Sequence, residues 1–157
     1  MSVIEGRQTA AYDKDLVVFL IGMRVNRLRA WREWLPVAKA MGPMVRELSA
    51  DPASGLLGFR TFAGLRTTTM LQYWESAEKL QAFANDPDRT HRPAWTKFFK
   101  LAYQGNNVGI WHETYVVPAG GFETIYGNMP LLGLGKVSGV VPANSRGRSA
   151  AERLAKK

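Results

Sequence analysis

The chain has 157 residues, 46% apolar and 22% charged, with a net charge of +8 and no cysteine. That size and composition predict one globular domain with its own core, and exclude thiol catalysis, thiolate metal sites and disulfide staples. The first apolar run, residues 16–23, is too short for a membrane span, which needs about 20 apolar residues, and its flanks do not suit a secretory leader. The reading is a soluble, cytoplasmic protein.

Residues 1–14 read as an irregular N-terminal arm. Leu16–Arg24 is short and rich in Val, Phe and Ile, which predicts a buried strand. Asn26 is placed to cap a following helix. Trp31, Trp34, Leu35, Ala38, Met41, Val45 and Leu48 recur at helical spacing. Pro36 and Pro43 interrupt the amide donors of that stripe, so the helix across residues 28–49 is expected to be kinked or broken. Two strand-like segments, 56–62 and 66–74, flank the short Ala63-Gly64-Leu65 link and predict a hairpin.

Ser76 caps a short helix that Asp86-Pro87-Asp88 stops. A second helical piece carries His91, Trp95, Phe98 and Ala102 on its inner stripe. Val108–Val117 reads as the last main strand, and residues 122–126 as a short extra one. The remainder reads as coil with a short helix at 149–155.

The order strand, helix, strand, strand, helix, strand is that of the split βαβ, ferredoxin-like α+β fold with an antiparallel sheet. Residues 15–135 hold this domain, and 136–157 form a basic tail. Lys136, Arg146, Arg148, Arg153, Lys156 and Lys157 face one acid there, Glu152. The tail reads as solvated or as a weak arm for an anionic partner, and its removal after Gly139 is expected to leave folding intact. No nucleic-acid motif accompanies it, so nucleic acid is not an expected partner. Both faces of the first strand are apolar: Val17, Phe19, Ile21 and Met23 on one, Val18 and Leu20 on the other. Burying the second face predicts a homodimer.

Several segments resemble the fumagillin-cluster monooxygenase-like family, long catalogued as a domain of unknown function. They are residues 18–26 (VFLIGMRVN), 66–69 (RTTT), 91–95 (HRPAW), 108–115 (VGIWHETY) and 120–130 (GGFETIYGNMP). The resemblance spans about residues 10–135 and implies the dimeric α/β-barrel superfamily. Antibiotic-biosynthesis monooxygenases, haem-degrading enzymes, chlorite dismutases and aldoxime dehydratases belong to that superfamily.

His91 and His112 are the only histidines. His91, on an apolar helix face, reads as a haem axial ligand or general base, or as a helix-start histidine bonded to a carbonyl. Alternation places His112 with Val108, Ile110, Thr114 and Val116, predicting a buried imidazole, either acid/base or bonded to a cross-strand hydroxyl. Glu113 on the opposite face is expected to pair with Arg24 or Arg60. Tyr126 is a candidate proton donor and Asn128 a candidate carbonyl-orienting residue, or the segment seals a dimer or forms a lid. Trp34, Trp95 and Trp111, with Trp31 and Trp74, are expected to line one cleft, as core or as a wall for an apolar aromatic ligand. No metal set and no phosphate loop is visible.

Three functions follow. The first is a small dimeric monooxygenase-like oxidoreductase acting on an aromatic or polycyclic substrate. The second is a haem-binding protein of the same fold, aldoxime dehydratase-like or haem-degrading-like. The third is a non-catalytic dimer that binds a small apolar ligand. The cofactor is accordingly none or haem.

Overall fold

Strand β2 (Leu16–Val25) is the centre of the fold because, Arg24 aside, its ten residues are apolar on both faces. The computed structural model describes residues 2–86 and 105–155. β2 pairs antiparallel with β4 (Thr67–Trp74) on one edge and β5 (Val108–Val117) on the other. β3 (Leu56–Ala63) pairs with the outer edge of β4 as the expected hairpin, giving the order β3-β4-β2-β5. Helix α1 (Trp31–Ala50) follows the first of these strands and α2 (Ala77–Asn85) the third. This is the ferredoxin-like α+β order read from the sequence.

Alternation along the strands sends Val17, Ile21, Met70 and Trp74 toward the helices. There they pack with Val45 and Leu48 of α1 and Leu80 of α2. Val37 and Val108 close the far end of the same layer. Ser76 caps α2 as its position predicts, its Oγ accepting the Lys79 N–H at 3.2 Å.

α1 differs from expectation in two respects. It runs unbroken for 20 residues with Pro36 and Pro43 inside it. The buried stripe Val37, Met44, Val45 and Leu48 holds the helix to the sheet, and tertiary packing outweighs the missing amide donors. It also begins at Trp31 with no side-chain cap, because the Asn26 N–H instead bonds the Asn107 carbonyl at 2.9 Å. The expected second helical piece with His91 and Trp95 lies outside the described residues.

The two ends of the chain depart most from the irregular arm and coil tail expected of them. β1 (Ile4–Ala10) lies within the N-terminal arm, and β7 (Val140–Pro142) within the tail. Both join β6 (Tyr126–Met129), which falls later than the expected 122–126, in a second sheet of order β6-β1-β7. A helical turn spans Leu134–Ser138, and the expected short helix forms at Ala150–Ala155. Arg146 ties tail to arm by donating to the carbonyls of Tyr12 and Ala11, each at 2.9 Å. Arg153 pairs with Glu123 nearby. These ties are backbone pairing and charge, which an apolar-content argument does not register.

The small sheet covers one end of the reverse face of the main sheet. Leu16, Val18, Tyr73 and Val117 pack there against Ala10, Tyr126 and Leu134. The chain thus buries in itself part of the face that the sequence assigned to a partner. Elsewhere on that face Phe62 and Tyr115 stay 45% and 51% exposed. Among the described residues, no helix is long and apolar enough to cross a membrane.

Candidate functional site

The space between α1 and the helix-facing side of the sheet is incompletely filled. Two adjoining cavities, each of about 280 Å³, lie there and share Ile21, Met41 and Met44. The first is walled by Met23, Val37, Met70 and Ile110. The second extends past Phe19, Gln72 and Trp74 to Phe83, His112 and Thr114. The lining is apolar and rich in methionine, whose unbranched thioether adapts to varied ligand shapes. Such a cleft with a few convergent polar groups is the usual form of a small-molecule site.

His112 is on the expected face of β5, opposite Ile21, with its ring 5.8 Å from that of Phe19. The expectation that it is buried is corrected: it is exposed, at the rim of the second cavity. Among the described residues β5 is an edge strand of its sheet, with no further strand beside the imidazole.

The structure does not bring Tyr126 and Asn128 to this cleft. Both belong to β6, in the small sheet on the reverse side. The Tyr126 hydroxyl accepts the Gly135 N–H at 3.0 Å. Asn128 has φ 49° and its Oδ1 accepts the Gly6 N–H at 2.8 Å, beside the register shift in β1. A short amide side chain that tolerates left-handed backbone suits that bulge.

The tryptophans do not form one wall. Trp74 is fully buried and lines the second cavity. Trp34 packs at the far end near Val37 and Val108, its Nε1 donating to the Leu28 carbonyl at 3.1 Å. Trp111 lies on the reverse face, its indole over Gly22. A Cβ on Gly22 would meet Trp111 Nε1 at 2.5 Å, so that glycine makes room for the ring. Trp31 is 53% exposed, and Trp95 is outside the described residues. Glu113 pairs with neither expected arginine; it accepts the Tyr115 hydroxyl at 2.8 Å, which raises the tyrosine pKa. On the reverse face, burial pushes the Tyr73 phenol above its ordinary value, with Tyr126 adding to the shift.

Sequence reasoning missed Gln72. Its side chain sits among apolar groups, only 4% exposed, on the floor of the second cavity. Trp74 Nε1 donates to Gln72 Oε1 at 2.8 Å, and Gln72 Nε2 donates to Met70 Sδ at 3.3 Å. The signal was present: alternation in β4 places Gln72 on the core face between Met70 and Trp74, where an apolar residue is the rule.

A haem, as the resemblance implies for some members of the superfamily, needs an iron ligand and cations for its carboxylates. The described lining supplies the His112 imidazole and no arginine or lysine. The described residues therefore do not fit that group.

Fold and site together define an α+β, ferredoxin-like protein with an apolar cleft under its first helix. Residues 16–134 match the model of the Monooxygenase af470-like family, and the chain belongs to that family. It is 32% identical over 173 residues to Monooxygenase af470 of Aspergillus fumigatus, covering 92% of this chain. The chain spans 58% of that relative's length. Among solved structures, aldoxime dehydratase OxdRE in complex with butyraldoxime aligns with a TM-score of 0.65 at 19% identity, over 81% of this chain and 40% of that one. This likeness shows the fold. SnoaB of Streptomyces nogalater, a cofactor-independent oxygenase, aligns with a TM-score of 0.43 at 13% identity, over 64% of this chain and 91% of that one.

Proposed function

We propose that this chain is a monooxygenase-type enzyme that takes an aromatic or polycyclic, largely apolar substrate into the cleft between α1 and the sheet. The observation that carries this reading is the pair of methionine-lined cavities with an imidazole at their rim, in a chain of this family. A substrate whose CH₂ lies between two aryl rings and is conjugated through them with a ketone suits such a cleft. His112 is the described candidate to take that proton, with His91 a second candidate from the sequence. The resulting carbanion supplies the electrons that reduce dioxygen. One oxygen atom becomes the new carbonyl and the other leaves as water, so no external reductant is consumed. The apolar walls keep water from the carbanion. Tyr126 and Asn128 are assigned to the architecture of the small sheet. A second copy is proposed to cover the still-exposed part of the reverse face, which includes Phe62 and Tyr115.

The test is oxygen consumption with anthrone, whose CH₂ has this character. The reading expects one dioxygen consumed per anthraquinone formed, and a fall of at least tenfold in His112→Ala. Binding of anthrone without oxygen uptake above the uncatalysed rate would instead make the protein a ligand-binding dimer. A visible absorption band in purified protein would favour a haem protein.

A further inference from the structure

We propose that Gln72 is the specificity-determining residue of this cleft, its carboxamide donating a hydrogen bond to a carbonyl oxygen of the bound aromatic molecule. The inference rests on the cleft being the ligand site, and it narrows the ligand to a ring system that carries an acceptor oxygen.

Placing an amide among apolar groups has a cost. A primary amide has two N–H donors and two acceptor lone pairs. Burial without partners costs free energy, so each polar atom of a buried amide normally has at least one good partner. Gln72 is 4% exposed and only partly engaged. Its oxygen accepts the indole N–H of Trp74, which explains why an acceptor is present. One N–H is directed at the Met70 thioether, a weak acceptor. The other N–H has no partner among the described residues. Serving Trp74 uses only the oxygen and leaves the donors over. Gln72 itself lines the second cavity, a space large enough for a small bicyclic ring system.

The indole bond also fixes which way the amide faces. Trp74 is fully buried and its N–H can only donate, so the Gln72 oxygen is held toward it and the NH₂ group is turned to the Met70 side, where the two cavities adjoin. The donor is therefore pre-oriented, and a carbonyl bound there needs no rearrangement of the protein. In the reaction proposed above, the same N–H would hold the oxygen on which charge develops as the conjugated CH₂ loses its proton.

The test compares α-tetralone with tetralin, the same bicyclic skeleton without the oxygen. Dissociation constants are measured by calorimetry for the wild type and Gln72→Leu. The ratio of tetralin to tetralone dissociation constants is expected to be about three- to tenfold larger in the wild type, the net effect of one buried hydrogen bond. An unchanged ratio would overturn the assignment. Because the substitution strands the Trp74 N–H, a second measurement uses only the wild type. The carbonyl stretching band of bound α-tetralone is expected below its frequency in hexane. A hexane-like band would overturn the assignment even if Gln72→Leu does not fold. Failure of both compounds to bind the wild type would remove the cleft reading itself, and the Gln72 role with it.

Discussion

Replacing Gly22 by alanine tests the packing between the central strand and its neighbours. The added Cβ would lie 2.5 Å from Trp111 Nε1, 2.7 Å from Trp111 Cε2 and 2.8 Å from the Thr68 carbonyl oxygen. The indole can swing, but the Thr68 carbonyl belongs to the backbone of β4, which pairs with β2 along its whole length. Something in the sheet must move, and overpacking of this kind costs about 1–3 kcal/mol. The reduced freedom of the unfolded chain returns at most about 1 kcal/mol. For a chain of this length each kcal/mol moves the melting temperature by about 2–4 °C, so a net loss of about 1–2 kcal/mol lowers it by about 2–8 °C. Gly42→Ala provides the control, since a Cβ at that helical position meets nothing within 4 Å. It is expected to raise stability by about 0.5–1 kcal/mol. Thermal melting by circular dichroism compares the two. A Gly22→Ala protein that melts at or above the wild-type temperature would refute the placement of Trp111 across the sheet.

Other perturbations separate architecture from chemistry. His112→Ala is expected to cost under about 1 kcal/mol in urea unfolding, because the imidazole is exposed; a larger loss would mean that it is enclosed. Arg146→Ala removes two charge-assisted bonds to the arm and is expected to cost about 2 kcal/mol or more. Truncation after Gly139 also removes β7 and the Arg153–Glu123 pair, so it is expected to cost more than Arg146→Ala; a shift of a degree or two would show the tail to be dispensable after all. Tyr73 has a raised pKa in the folded chain, so its contribution to stability is complete below the ordinary value of 10.0 and is lost as pH rises through the raised value. Tyr73→Phe is expected to reduce alkaline destabilisation, measured by urea unfolding at successive pH values; an unchanged profile would contradict the burial of that phenol.

The main sheet was legible in the sequence because its strands are dense in apolar residues and its helices carry clear stripes. Leu16–Arg24 reads as a strand, and Val17 and Ile21 fall on the face that meets the helices. The small sheet was not legible. β7 has three residues and β6 four, and both pair with β1 mainly through backbone groups that every residue type carries. The rigid look of Pro36 and Pro43 misled in the other direction, since packing of four buried residues keeps α1 continuous.

The candidate site was legible only in outline. Alternation gave His112 its face but not its exposure, which depends on β5 being the sheet edge. Tyr126 and Asn128 drew attention as polar residues in an ordered Gly- and Pro-flanked stretch. Their polar atoms instead serve Gly135 and Gly6, partners that sequence spacing does not reveal. Trp111 was separated from the cleft by a single alternation step along β5, opposite Gly22 rather than Ile21.

The most direct test of the cleft as the binding site uses methyl-labelled methionine. Met41, Met44 and Met70 line the cavities, whereas Met129 lies in the small sheet on the other side of the molecule. Titration with α-tetralone, followed by carbon–proton correlation spectra, is expected to shift the methyl signals of Met41, Met44 and Met70 in a saturable manner and to leave Met129 in place. Saturable binding that moves Met129 and leaves those three unchanged would contradict the account.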